Sequence, residues 1–383
     1  MTIWRPQQYH RAADKAATPA EISDNAIATI EALRRRSRNV PEILSLRHLS
    51  VRAGVPYAYL REIVERNATR DYRLFRIRKR PVRNQRLRYR IITVPEARLK
   101  KVQQWIDRHV LCAAEPDEAS VAFTKRSSVY AAASIHCGAR WMIKIDIRAF
   151  FESISERQVY HVFHEIGYQP LVAFELARLC TRLRRRAPPL KRWSLGFDRR
   201  YEISAYINGQ VGHVPQGAPT SPRLSNLVVR ELDEDIRTIA ASAGLTYTRY
   251  ADDLTLSKTT DDFSRAAAVK VIRKIYRVLG AHGFAPNLAK TQIVPPRARK
   301  IVLGLLVDGD RPRLQREFKA RIRQHLHYLM HPKFGPAKHA KAQGNATIYG
   351  LRNHIKGLLA FAHGVDPEYA RKQTELFNRV HWP

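Results

Sequence analysis

The sequence predicts an α+β fold in which an antiparallel sheet carries helices on one face, between a helical N-terminal region and a helical, basic C-terminal one. Three stretches carry that prediction. "RWMIKIDIRAFFESIS" (140–155) is a short apolar strand running into a helix. "LTYTRYADDLTLSK" (245–258) alternates as two strands about a tight turn, and "NLAKTQIVPPRARKIVLGLLVD" (287–308) reads as strand, turn, strand. Amphipathic helical segments separate the three.

The chain has 383 residues, 44% of them hydrophobic, enough for two or three packed subdomains. Composition divides it into a helical region over 1–70, a mixed region over 71–308 and a helical basic region over 309–383. Lys plus Arg number 68 against 34 Asp plus Glu, a net charge of +34. Such a field attracts polyanions, and nucleic acid is the first expectation. There is no apolar run of spanning length and no long basic amphipathic stretch, so no membrane partner is expected. The first residues lack the apolar core of a secretory signal, and Cys112, Cys137 and Cys180 are widely spaced and odd in number. A reduced, cytoplasmic setting is the expectation.

In chain order, "ISDNAIATIEALRRRSR" (22–38) is a helix with Ile27, Ile30 and Leu33 on its apolar face and Ser23 or Asp24 as its cap. "LSLRHLSVRAGVPYAYLREIVER" (44–66) gives two short helices about Gly54. The spacing is that of a DNA-reading helix-turn-helix, but a helical pair packed on a neighbouring region is the preferred reading. "RLFRIRKRPVRNQRLRYR" (73–90) carries eight Arg, one Lys and no acid. Leu74, Phe75, Ile77, Leu87 and Tyr89 make it a basic hairpin rather than a free tail. Beyond Pro95, a helix follows with Leu99, Val102, Ile106 and Val110 on one side.

"SERQVYHVFHEIGY" (155–168) is a helix capped by Ser153 or Ser155, and "TRLRRRAPPLKRWSLGFDRR" (181–200) a basic, Pro-interrupted loop or ribbon. "VPQGAPTSPRLSNLVVRELDEDIRTIA" (214–240) is a turn and a long helix. A further helix is expected from about Asp262 to Gly280.

The chemistry concentrates in the adjacent Asp252 and Asp253. Carboxylates are poor strand formers and repel each other, yet these sit at a hairpin tip. If the strand ending at Asp146 pairs beside that hairpin, three carboxylates meet at one sheet edge. Two Mg²⁺ ions about 3.5–4 Å apart would remove the repulsion. One would activate an attacking hydroxyl and the other neutralise a leaving pyrophosphate.

Taken together, the motifs resemble those of reverse transcriptases. "RLRYRIITVPEARLKKVQQWI" is similar to the family's fingers motif, "IKIDIRAFF" to its first carboxylate motif and "PQGAPTSPRLSNL" to its Pro-Gln-Gly turn and helix. "YADDLTLS" is similar to its metal hairpin, "GFAPNLAKTQIV" to the lysine motif and "IVLGLLV" to the strand pair before the thumb, all in family order. The resemblance implies a right-hand polymerase, with fingers and palm over 71–308 and thumb over 309–383, acting on deoxynucleoside triphosphates. It implies that Asp146 and Asp252 hold two Mg²⁺ ions with help from the Ile147 carbonyl, while Asp253 supports the site. Phe151 matches the steric gate against a ribose 2′-hydroxyl, with Phe150 beside it as core. Gln216 and Gly217 would shape the floor under the nascent base pair, Arg88 and Arg90 would clamp the triphosphate, and Lys290 would donate a proton to pyrophosphate.

The flanking stretches, with "LLAFAHGVDPEYARK" near the C-terminus, resemble those of bacterial retron reverse transcriptases. That implies a structured non-coding RNA as template and primer, priming from a guanosine 2′-hydroxyl, RNA-linked DNA as product, and a part in phage defence with an effector protein. No ribonuclease H, integrase or endonuclease domain is expected in these residues. Two departures bear on RNA recognition rather than on polymerase chemistry. Ala132 replaces the Asn of an Asn-Ala-x-x-His element that keeps Ala133 and His136, and Leu303 replaces the Thr of Val-Thr-Gly. His136 is read equally as an RNA contact or a packed residue. In the thumb, Arg321, Arg323, Lys333 and Lys338 are interleaved with Phe318, His325, Tyr328 and Phe334, as an RNA grip or as core and solvated face. The rival readings are a short group II intron-like enzyme and a non-catalytic nucleic-acid-binding protein.

Overall fold

Residues 5–37, 39–68, 71–78, 89–124, 127–184 and 211–383 are described by the computed structural model. Arg88 and nearly all of the basic stretch expected as a loop or ribbon lie outside the described residues. Four helices open the chain: α1 (Pro6–Lys15), α2 (Ala20–Arg36), α3 (Leu46–Ala53) and α4 (Tyr57–Val64). Neither Ser23 nor Asp24 caps α2, which starts behind Pro19. Ser23 lies in the first turn with its hydroxyl on the Ala20 carbonyl. Ser45 caps α3, and Gly54 ends it in the left-handed conformation that favours glycine. Leu46, Leu49, Leu60 and Ile63 are buried in the core that underlies the central sheet, so the α3–α4 pair is packed, as preferred from the sequence.

The basic stretch is a hairpin, β1 (Tyr72–Arg78) antiparallel to β2 (Tyr89–Pro95). Next come α5 (Ala97–His109), with Leu99, Val102 and Ile106 buried, and α6 (Val129–Ser134). The central sheet contains β3 (Trp141–Asp146), β4 (Thr246–Tyr250), β5 (Asp253–Lys258) and β6 (Gln292–Val294), in the order β4–β5–β3–β6 and antiparallel throughout. Strand periodicity divides β3 between two faces. Ile143 and Ile145 belong to the core shared with the helices, whereas Lys144 and Asp146 alternate with them.

Helices α7 (Phe150–Ser153), α8 (Glu156–Ile166), α9 (Pro170–Cys180), α10 (Ser221–Val228), α11 (Arg230–Ser242) and α12 (Arg265–Ala281) complete this part. Ser155, one of the two expected caps, starts α8 in a reciprocal capping box with Gln158. Ser264 caps α12, slightly later than the start expected near Asp262. The short strands β7 (Ile301–Val302), β8 (Leu305–Leu306) and β9 (Arg313–Leu314) lead into α13 (Arg316–Met330), α14 (Gly335–Ala342), α15 (Ile348–His363) and α16 (Pro367–Asn378).

A second core joins these last helices to the sheet, with Met142 of β3 beside Val302, Leu305, Ile322, Leu326 and Ile355. Packing therefore crosses the division expected at 308. Among the described residues, no helix is long and apolar enough to cross a membrane.

Candidate active site

The register of β3 and β5 sets Asp146 opposite Asp253. The Ile147 amide donates to the Asp252 carbonyl at 2.8 Å, tying the end of β3 to the hairpin turn. The three aspartates predicted from the sequence therefore share one end of the sheet. In that turn Ala251 has φ +55°, a left-handed conformation that strains a residue with a Cβ. Arg249 supports it from below. Its guanidinium donates to the Ala251 carbonyl at 3.2 Å, to Asn226 at 3.1 Å and to Asp233 at 2.7–3.1 Å. Neither Arg249 nor Asp233 is exposed, and the Tyr247 hydroxyl adds a further hydrogen bond to Asp233 at 2.8 Å. Burying this pair is tolerable because so many of its lone pairs and N–H groups are satisfied.

Each of two carboxylates has its own lysine. Lys290 Nζ donates to Asp146 Oδ2 at 2.5 Å, while Asn287 Nδ2 donates to Oδ1 at 2.8 Å. The Asn287 amide also donates to the Asp146 carbonyl at 2.7 Å, so the Asn287–Lys290 turn orients this one carboxylate. Lys144 Nζ lies 3.3 Å from Asp253 Oδ2. Burial, then the nearby Asp146, raises the pKa of Asp252 above the usual carboxylate value. Burial also raises Asp253, against the opposing pull of Lys144.

Among the described residues, no three acidic, histidine or cysteine side chains form a ready-made metal cage. The donor chemistry nevertheless fits a hard divalent cation, with carboxylate oxygens and the Ile147 carbonyl at one sheet end and a local excess of negative charge felt by Asp252.

Phe150 is buried against Phe284, with ring centroids 5.9 Å apart, and Phe151 is half-buried 5.5 Å from Phe150 on the one-turn helix after Asp146. Gly217 has φ +122°, and a Cβ there would stand 2.9 Å from the Thr93 carbonyl oxygen and 2.9 Å from an Ile92 methyl. The neighbour that demands glycine in this structure is therefore strand β2. The Gln216 carbonyl accepts from the Thr93 amide at 2.7 Å, clamping the turn to that strand. Arg90 lies exposed on the same strand, opposite Ile77.

Residues 77–329 match the family described as reverse transcriptase (RNA-dependent DNA polymerase). The chain belongs to the reverse transcriptase family. It is thus an RNA-directed DNA polymerase with the α+β polymerase fold. It is 29% identical to the retron Ec86 reverse transcriptase of Escherichia coli, over 92% of this chain and 94% of that one. It is 29% identical to the retron Mx65 reverse transcriptase of Myxococcus xanthus, over 89% and 76%. With the retron Mx162 reverse transcriptase of the same organism it shares 28% identity over 74% of this chain, spanning 56% of the relative.

In this reverse transcriptase His136 is packed. Its ring nitrogens stand 2.7 Å from the hydroxyls of Ser257 and Thr248, and burial, with a smaller contribution from Lys144, lowers its pKa to about 4. Ala132 is buried on α6, and Leu303 takes φ +49° in the tight turn between β7 and β8. In the thumb, Phe318 packs on Phe361, His325 bonds His339 at 2.9 Å, and Tyr328 lies against His339 and Phe334. His325 is buried, Phe318 and Tyr328 are half-buried, and Phe334 is exposed, as are Arg323, Lys333 and Lys338, with Arg321 partly so.

Lys144, Asn287 and the Arg249–Asp233 pair are site residues not expected from the sequence. Lys144 had a usable signal, since two residues before Asp146 on a strand is the same face. Asn287 had one too, three residues before Lys290 on a tight turn. Nothing local marked which acid of "RELDEDIR" would meet Arg249.

Proposed function

We propose that this enzyme is of the retron type and reverse transcribes a cognate structured non-coding RNA. Synthesis starts from a guanosine 2′-hydroxyl of that RNA and leaves single-stranded DNA joined to it (msDNA), in the cytoplasm and in the service of antiphage defence with an effector protein. The observation that carries the reading is near end-to-end similarity to a retron enzyme, over 92% of this chain and 94% of the relative. The +34 charge suits a polyanionic template and product.

In this reading Asp146, Asp252 and the Ile147 carbonyl hold two Mg²⁺ ions, with Asp253 in support. When bound, the metals supply an activated hydroxyl and charge neutralisation at the leaving pyrophosphate. Asn287 fixes one face of the Asp146 carboxylate. The Arg249 support holds Asp252 on its turn. Phe151 fills the space a ribose 2′-hydroxyl would need. The Gln216–Gly217 turn, clamped to β2, supports the nascent base pair and sets the strand of Arg90, which with Arg88 holds the triphosphate. Lys290 carries the proton that the pyrophosphate takes on leaving.

The test is to express the gene with its flanking DNA in bacteria and isolate short DNA. A species whose mobility shifts after ribonuclease treatment, and which carries a 2′-branched guanosine, is expected. Cells yielding no RNA-linked DNA, from an enzyme that extends an ordinary primed RNA template, would leave the polymerase in place and reject the retron type.

A further inference from the structure

We propose that Lys144 is a positioning residue that holds Asp253 out of the metal-binding set and leaves Asp146 and Asp252 to do the holding. The inference rests on the reading that those two carboxylates bind divalent metal. Strand β3 fixes Lys144 two residues before Asp146 on the same face, while Ile143 and Ile145 anchor the other face in the core. In register, Thr255 of β5 and Gln292 of β6 flank Lys144. Its ammonium lies 3.3 Å from Asp253 Oδ2, and both side chains are less than one-third exposed.

The other lysine of the site takes a different carboxylate, with Lys290 on Asp146. Asp252 makes no ion pair among the described residues, so the three acids are not equivalent. Lys290 sits on a short turn with its side chain 53% exposed, and it can swing away from Asp146 when a stronger cation arrives. Lys144 is on the central strand, 22% exposed, and stays with its partner. A fixed ammonium at Asp253 cancels one of three converging negative charges. It also turns that carboxylate toward β3, so the acids form a two-carboxylate seat rather than a three-carboxylate one.

The measurement is calorimetric Mg²⁺ binding to nucleotide-free full-length enzyme, alongside the Mg²⁺ half-saturation of primer extension. In Lys144→Met the site loses a fixed positive charge, and Mg²⁺ should bind at least about fivefold more tightly, while kcat falls as Asp253 turns into the site. Lys144→Arg should restore both. Asp253→Asn strands the ammonium and should weaken binding, and the double variant Lys144→Met/Asp253→Asn should return close to wild type. Unchanged affinity in both single variants would reduce the pair to a structural contact. A double variant well weaker than wild type would make Asp253 a metal ligand and overturn the proposal. If the wild type binds no Mg²⁺, or Asp252→Asn binds it equally well, the metal assignment itself fails.

Discussion

The Arg249 guanidinium and the Asp233 carboxylate meet at 2.7–3.1 Å with neither side chain exposed, beneath the turn that carries Asp252. Removing one partner strands a buried charge. Arg249→Met should therefore cost about 3–5 kcal/mol in denaturant unfolding and free the Ala251 turn, so polymerisation falls in the fraction that remains folded. Arg249→Met/Asp233→Leu should recover most of the stability but not the activity. Equal instability in the single and double variants would show that packing, not charge, is what Arg249 provides.

His136 gives a pH prediction. Its pKa falls from 6.5 to about 4 on folding, so the unfolded chain binds its proton more readily between those values. Its contribution is complete above about pH 6.5 and is lost as pH drops toward 4. Stability measured by urea unfolding at pH 7 and pH 5 should fall by about 2 kcal/mol more in wild type than in His136→Gln. His213 and His325, held at about 3 and about 4 mainly by burial, act in the same direction in both proteins and cancel in the comparison.

Phe151→Ala should admit ribonucleotides. The half-buried ring stands on the turn after Asp146, and truncation opens volume there without emptying the Phe150–Phe284 core. The ratio of kcat/KM for a deoxynucleotide over its ribonucleotide should drop at least about fivefold, since a steric clash is worth about 1 kcal/mol or more. An unchanged ratio assigns Phe151 to packing.

What the sequence made legible were features written in consecutive residues. The apolar strand before Asp146, the Asp252–Asp253 turn and a serine cap at Ser153 or Ser155 were readable because strand alternation and capping are local rules. The partners were not readable. Arg249 stands in a strand of threonines and tyrosines and Asp233 in an acidic helix, and only the tertiary packing of α11 on β4 pairs them. Gly217 was expected to help shape the floor under the nascent base pair, and the strand that presses on it in the structure, β2 through the Thr93 carbonyl and an Ile92 methyl, is one no local pattern could name. At the start of α2, Pro19 supplied a helical start before the polar Ser23 and Asp24, so the cap residues were absorbed into the helix.

The thumb turns its basic residues and one aromatic, Phe334, to the surface. On the proposed retron reading, with His325 buried and Phe318 and Tyr328 half-buried, recognition of the RNA falls to exposed charge, to shape and to Phe334. Arg321→Glu/Arg323→Glu should impair use of the cognate RNA more than extension of a generic primed template, measured at matched salt. Equal losses would make this face a nonspecific duplex grip.

The sheet end bearing Asp146 and Asp252 should act as a metal-dependent polymerase site. The direct measurement is extension of a DNA primer on an RNA template with Mg²⁺ and deoxynucleotides, for wild type and Asp252→Asn. Wild type should extend the primer and lose that activity on chelation. The variant should show no extension, and its unfolding temperature without metal should hold or rise, because one of the repelling carboxylates has lost its charge. Sustained extension by a folded Asp252→Asn enzyme would contradict the account.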